Sequence, residues 1–177
     1  LPEVVSFSGE GTYCEGETVE SLTAALSGSG VLTLDYTIDG VSNSMNTSTA
    51  SIDLGTAPGV YVLTQITDEN CNNAVNLTQT ITINTLPTAP NTSADVSYCA
   101  NEQPDAMEAD GSSGSYTWYA DQELTDVLGS QTTYTPETIL GSTSYYVTAT
   151  ENGCEGPAQM ILIAFEECGI VIPTAFT

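Results

Sequence analysis

The chain has no lysine, no arginine and no histidine, while aspartate and glutamate total 23, giving a formal charge of -23 at pH 7. These absences exclude whole classes of function. Nucleic acid is bound by setting cations against phosphates, and none are present. Docking on an anionic membrane through a basic patch fails for the same reason. A Ser-His-Asp or Cys-His constellation lacks its base, and Schiff-base chemistry lacks its amine. Histidine-based zinc sites cannot be built, and no Cys-x-x-Cys pair replaces them. Covalent Lys-Asn cross-links cannot form, and trypsin-like proteases find no cleavage site. No stretch approaches the roughly 20 apolar residues of a membrane span, so direct membrane insertion is not expected. The sequence has no signal peptide and no initiating Met, so Leu1 reads as an internal start of a mature or excised fragment.

Charge is scarce as well as one-sided: 13% of residues are charged, against about 25% in an ordinary soluble domain. The surface must therefore be largely Thr, Ser, Asn and Gln. A small domain usually carries a net charge of about 2 to 8 in magnitude, and this chain lies far outside that range. Such an exterior stays dispersed by self-repulsion. Salt relieves the folded state by shortening the screening distance from about 8 Å at physiological strength to about 3 Å at 1 M. The bias is read as adaptation to a salty exterior rather than as a ligand site.

What is present is a repeat. Leu1-Pro2 recurs as Leu86-Pro87 and Tyr13-Cys14 as Tyr98-Cys99, both at a spacing of 85, and Cys71 recurs as Cys154 at 83. Three landmarks in order at nearly one period mark tandem domains within the 177 residues. The boundaries read as 1–85 and 86–169, with 170–177 opening a further domain. The segment Asn84-Thr85-Leu86-Pro87-Thr88-Ala89-Pro90 is held extended by two prolines, so the domains are expected end to end.

Within each repeat the hydrophobic period is 2. Val31 to Ile38, Val60 to Thr67 and Leu77 to Ile83 alternate in the first, as do Ser115 to Tyr119, Ser144 to Thr150 and Gln159 to Phe165 in the second. Asp39-Gly40, Asp110-Gly111 and Asn152-Gly153 supply turns. Leu22 to Leu26 and Met107 to Ala109 resemble helix fragments but are too short to outweigh the strand pattern. The expected class is all-β, two tandem immunoglobulin-like antiparallel β-sandwiches.

Five cysteines punctuate this pattern. Cys14 with Cys71, and Cys99 with Cys154, bracket most strands of their repeats, which argues for one disulfide per domain and an exported compartment. Connectivity is not fixed by sequence. Cys168 is left over, either for a cysteine of a neighbouring domain or in competition for Cys99. A redox role for it is not expected, because no cationic side chain is available to lower its pKa. Trp118 stands between Cys99 and Cys154, the order in which a third-strand Trp packs against an inter-sheet disulfide; Tyr36 holds a similar place in the first repeat.

These residues resemble a known group. Tyr13-Cys14-Glu15-Gly16, Gly59-Val60-Tyr61 and Asp68-Glu69-Asn70-Cys71 are similar to the PKD-like and Ig-like repeats of very large Bacteroidetes surface proteins. Trp118-Tyr119, Tyr145-Tyr146 and Glu151-Asn152-Gly153-Cys154-Glu155 resemble the Ig-like domain beside their C-terminal domain. Ile170 to Thr177 is similar to the opening of the gliding-motility-associated C-terminal domain. At Tyr98-Cys99-Ala100-Asn101-Glu102 the expected glycine is missing. The resemblance implies type IX secretion, an extracellular location on the bacterial cell surface, neighbouring domains of the same large protein as partners, and a role in adhesion, gliding or a surface filament.

Two functional readings follow. The first is a non-enzymatic stalk or filament module, with association into a homo-oligomer or filament. The second is an adhesin module whose polar loops, Asn43 to Ser51 and Asp121 to Gln131, recognise a carbohydrate or protein. An enzyme is not expected: only paired-carboxylate chemistry survives the composition, and a small sandwich offers little cleft. No catalytic residue is assigned, and no cofactor or metal. Calcium is the one ion with suitable ligands, at Asp68, Glu69 and Asn70 and at Asp121, Glu123 and Asp126, but neither group has EF-hand spacing and both read as solvated acidic turns. The Asn-x-Ser/Thr sequons at Asn46, Asn76 and Asn91 follow from a Thr-rich composition.

Overall fold

In the computed structural model, which describes residues 1–99, 102–137, 141–166 and 168, every regular element is a strand and no helix occurs among the described residues. The chain divides into two compact units, Leu1–Thr85 and Leu86–Thr177.

The first unit contains β1 (Glu3–Ser8), β2 (Gly11–Cys14), β3 (Leu22–Ser27), β4 (Leu32–Ile38), β5 (Val41–Thr47), β6 (Ser51–Gly55), β7 (Gly59–Thr67) and β8 (Asn72–Asn84). They form two sheets, ordered β1-β3-β6 and β2-β8-β7-β4-β5. Alternation explains what holds these sheets together. Leu22, Ala24 and Leu26 of β3 and Ile52 and Leu54 of β6 pack against Leu34 and Tyr36 of β4, Tyr61, Leu63 and Ile66 of β7, and Ile81 of β8. Each fully buried Leu or Ile contributes about 1.5–3 kcal/mol by leaving water.

The second unit repeats the plan with β9 (Asn91–Thr92), β10 (Val96–Cys99), β11 (Met107–Asp110), β12 (Ser115–Tyr119), β13 (Val127–Gly129), β14 (Thr133–Tyr134), β15 (Thr143–Glu151), β16 (Cys154–Glu155) and β17 (Gln159–Glu166). The sheets are β14-β11-β9 and β10-β17-β15-β12-β13, with β16 beside β15. Met107 and Ala109 close on Tyr116, Trp118, Tyr145, Val147, Ala149, Ile161 and Ile163.

The sheets are not wholly antiparallel. β2 runs parallel to β8, Gly11 to Cys14 beside Ile81 to Asn84, and β10 runs parallel to β17, Val96 to Cys99 beside Ile163 to Glu166. The cause is a break in the first strand of each unit. After pairing antiparallel with β3, the chain turns at Gly9 and crosses to the other sheet, where it meets the last strand running the same way. Gly9 sits at φ +109°, and a Cβ there would lie 2.3 Å from the Ser21 carbonyl oxygen, so only glycine fits.

Three expectations change. The cysteine pairs Cys14–Cys71 and Cys99–Cys154 are not made. Cys14 closes β2 opposite Asn84, the last residue of β8, whereas Cys71 precedes Asn72, its first. The length of β8 separates them, roughly 40 Å at about 3.3 Å per residue, and a bridge needs Cα atoms within about 7 Å. Cys71 is a free, exposed thiol. In the second unit Cys99 lies opposite Glu166 at the end of β17, and it bonds to Cys168 just beyond, with a Cα–Cα distance of 5.3 Å. The loop closed spans 69 residues, worth about 4 kcal/mol on a chain-entropy basis. Of the two alternatives open for Cys168, competition for Cys99 is the one realised.

Of the segments read as polar loops, Asn43 to Ser51 is largely strand, and Asp121 to Gln131 contains one short strand. Asn43 to Thr47 belongs to β5, and Val127 to Gly129 forms β13. Asp39-Gly40 and Asn152-Gly153 make hairpin turns, with φ of 50° and 81°, and 50° and 83°, while Asp110-Gly111 connects β11 to β12 in the other sheet. Leu22 to Leu26 and Met107 to Ala109 are strands, as their alternation required. Segment 170–177 lies outside the described residues.

Candidate functional site

With no cationic side chain available, each carboxylate must be satisfied by N–H and O–H donors or by water. The sequence places many at turns, and the structure uses them there. Asp68 accepts from the backbone N–H of Asn70 (2.9 Å), Cys71 (2.8 Å) and Ser29 (3.2 Å). Asp121 accepts from Thr125 N–H (3.0 Å), Thr125 Oγ1 (2.8 Å) and Asp126 N–H (2.7 Å). Glu151 accepts from Ser112 Oγ (2.5 Å), Ser113 N–H (2.9 Å) and Ser113 Oγ (3.0 Å).

Hydrogen bonds to an ionised carboxylate favour that form, so all three acids are held below their ordinary pKa. The N–H of Asn70 leads for Asp68, that of Asp126 for Asp121, and the Ser112 hydroxyl for Glu151. Acids pushed towards ionisation at exposed turns are structural caps; a general acid would need the opposite shift.

The two acidic groups considered for calcium are built in this way. Both oxygens of Asp68 and both of Asp121 already accept protein hydrogen bonds. Among the described residues, no three Asp, Glu or Cys side chains converge as a metal-holding cluster.

The repeat is visible at the same level of detail. Glu17 caps the Cys14 N–H at 2.7 Å, and Glu102 caps the Cys99 N–H at 3.0 Å. The N–H of Glu17 reaches the Cys14 carbonyl at 3.0 Å, and that of Glu102 reaches Cys99 at 3.1 Å. The second turn thus closes without the glycine found at Gly16. Tyr13 accepts from Glu20 N–H, and Tyr98 from Asp105 N–H.

Sequence reasoning missed the corner tyrosine. Tyr61, fully buried at the start of β7, donates its hydroxyl hydrogen to the Ala57 carbonyl at 2.9 Å, tying the chain entering the strand to the strand itself. Leu63 follows two residues later, where an inter-sheet cysteine would stand in a disulfide-centred sandwich; Val147 holds the same place after Tyr145. The signal was legible as Tyr-x-aliphatic in both strands. Trp118 is in the core as expected, but it stacks on Tyr134, ring centroids 6.0 Å apart, instead of on a disulfide, and its Nε1–H donates to Gln131 O at 2.9 Å. A second missed group joins Glu155 to Tyr119 Oη (2.7 Å) and Thr148 Oγ1 (2.6 Å) across β12, β15 and β16.

Two surface depressions mark the first unit. One of about 350 Å³ is lined by Asp35, Tyr36, Ser42, Asn43, Ser44 and Thr64 on β4, β5 and β7. The other, about 340 Å³, lies between the β3–β4 connection and Ser48 to Ala50.

The topology defines an immunoglobulin-like class. The family model described as "Ig-like domain CHU_C associated" matches residues 87–164, within the second unit. Solved structures with similar folds include the titin I-band fragment I67-I69, at 11% identity and a TM-score of 0.49, covering 95% of this chain and 66% of that one. The DIP-gamma IG1+IG2 structure matches at 12% identity and a TM-score of 0.44, covering 96% of this chain and 98% of that one. The chain therefore spans a little under two thirds of the titin fragment. No curated protein sequence matches it. The chain is all-β, with tandem immunoglobulin-like domains.

Proposed function

We propose that the chain is a tension-bearing structural module, a stalk or filament segment of a large exported bacterial surface protein, and not an enzyme. The observation that carries this reading is the parallel pairing of β2 with β8 and of β10 with β17. In each unit an early strand lies beside the last strand and runs the same way. A load that reaches both strands of such a ladder slides them along each other, so its hydrogen bonds are stressed together instead of opening one by one. In the second unit the Cys99–Cys168 bond carries the load across while it stands, and the β10–β17 ladder, whose β17 lies inside the closed ring, takes it up after reduction.

The disulfide fits an oxidising, extracellular setting. Among the described residues no helix is long and apolar enough to cross a membrane. The matched family model and the resemblance to gliding-associated surface proteins support secretion through the type IX route and display outside the cell. Neighbouring domains of the same protein are the natural partners, and the caps on Asp68 and Asp121 make calcium unnecessary for holding these turns.

A second reading, a carbohydrate- or protein-binding module, is favoured by one feature, the hydroxyl-rich depression holding Asp35, Tyr36 and Asn43. Single-molecule pulling from the two ends, with a glycan array run in parallel, separates the readings. The stalk reading expects cooperative rupture at high force and no glycan signal. Rupture at low force, or glycan binding lost in Asp35→Ala and Asn43→Ala, would replace it with the binding module.

A further inference from the structure

Among the described residues the four sheets end in eight edge strands, and seven of them are blunted against pairing. β1 carries Glu3 and a register break between Val4 and Ser6. β6 has five residues, includes Asp53, and faces a break in β3. β2 and β10 have four residues each. β9 and β14 have two, and β13 has three beside a further break. β5 differs on every count. Its seven residues, Val-Ser-Asn-Ser-Met-Asn-Thr, contain no charge and no proline. They pair with β4 without interruption from Thr47 opposite Leu32 to Val41 opposite Ile38.

The hairpin fixes which groups are open. Asp39 and Gly40 both have positive φ, 50° and 81°, as a two-residue type I′ turn requires, so the flanking Ile38 and Val41 exchange both hydrogen bonds. Alternation then points the N–H and C=O of Ser42, Ser44 and Asn46 away from β4. All three residues are exposed.

We propose that this edge is a homotypic pairing site, at which two copies of the chain join β5 to β5, antiparallel, about a two-fold axis through Ser44. In that register Ser44 faces its own copy and Ser42 faces Asn46, so the open backbone groups pair; on the other face Asn43 meets Met45 and Val41 meets Thr47, and no charged side chain is brought opposite another within the two strands. Charge selects the occupant. A cationic segment would seek carboxylates, and β5 has none. A chain whose fixed side-chain charges are all negative meets a copy of itself most readily through a charge-free surface; β5 offers an unbroken one, whereas the uncharged stretch of β8 beyond β2, Asn72 to Thr80, is broken by a register shift against β7. Asp35, opposite Ser44 on β4, would face its copy across three strand spacings, about 14 Å. That exceeds the screening distance of about 8 Å at physiological salt, so repulsion there weakens association without forbidding it. The proposal goes beyond the stalk reading and stands without it, because an edge can pair whether or not the units carry tension.

The test is sedimentation velocity of the whole chain in a Cys71→Ser background, which removes disulfide-linked dimers from the count. Dimers are expected to tighten about tenfold or more between 0.05 and 1 M NaCl, as screening shortens. Asp35→Asn should move the transition to lower salt. Ser44→Asp sets two carboxylates against each other on the axis and should abolish dimers at every salt. Ser44→Pro, which removes an outward N–H and leaves the β4 ladder intact, should do the same. Amide exchange gives a readout independent of the variants: Ser42, Ser44 and Asn46 should gain protection as protein concentration rises. A monomer at 1 M NaCl, a dimer that survives both Ser44 substitutions, or unchanged exchange at those three amides would overturn the proposal.

Discussion

A carboxylate without a cation is fixed by the geometry of nearby N–H and O–H groups, and Glu151 illustrates the consequence. Its oxygen gathers Ser112 Oγ, Ser113 N–H and Ser113 Oγ, which ties the approach to β12 onto the end of β15. Its pKa is lowered from an ordinary 4.5, so the ionised form is the stabilising one. That contribution is complete above the unfolded pKa and is lost as pH falls through the lower folded value. Glu151→Gln should therefore melt below the native protein at pH 7, and the two should converge as pH drops below 4.5. A gap that persisted to pH 2 in thermal melts would mean that shape, not charge, holds the turn. This use of acids was only half legible. Asp and Glu beside Gly and Ser announced turns, but which donor meets which oxygen depends on residues 38 or 39 apart in the chain, as with Glu151 and the serines. Trp118 was legible as core. Its neighbour Tyr134 was not, because a two-residue strand such as β14 carries no periodic signal.

Strands with alternating aliphatic and aromatic residues could be read to within a residue at each end, except that Leu77 to Ile83 leaves out the first five residues of β8. The run Ser115 to Tyr119 coincides with β12, and Gln159 to Phe165 ends one residue short of β17. β5 could not, since Ser, Asn and Thr at an edge satisfy the backbone pattern without the apolar alternation that betrays burial. The cysteine pairing failed for a related reason. Spacing along the chain says nothing of which end of a long strand a residue occupies, and β8 carries its two ends far apart. The parallel pairing is likewise set by one break in the first strand. Gly9→Ala tests that break directly: positive φ and the Ser21 carbonyl at 2.3 Å both oppose a methyl group there. A loss of 1 kcal/mol lowers the melting temperature of a domain this size by about 4–8 °C, and the first unit should lose at least that much. An unchanged melt would show that β1 can reach the second sheet by another path.

Across the whole molecule the formal charge of -23 compresses like charges into a smaller volume on folding, and no salt bridge between side chains offsets them. Thermal stability should therefore climb steadily between 0.05 and 1 M NaCl, with sodium sulfate acting at lower concentration still. Calorimetry in chloride salts of different cations reads this. A flat response would place the acids too far apart to matter; a response peculiar to calcium would point to a bound ion.

The Cys99–Cys168 bond has a further consequence, for reach. While it stands, the two cysteines stay 5.3 Å apart at their Cα atoms however far the rest of the unit is drawn out. The 69 residues of separation are then a closed ring, slack that tension cannot spend. Reduction opens the ring and frees up to about 240 Å of additional contour, at about 3.5 Å per residue. In a chain carrying Cys14→Ser, Cys71→Ser and Cys154→Ser, extension traces with and without reductant should differ by that step, and adding Cys168→Ser should give the longer trace under either condition. Outside a cell, the local thiol-disulfide balance would thus set how far this part of the chain can stretch before it stops.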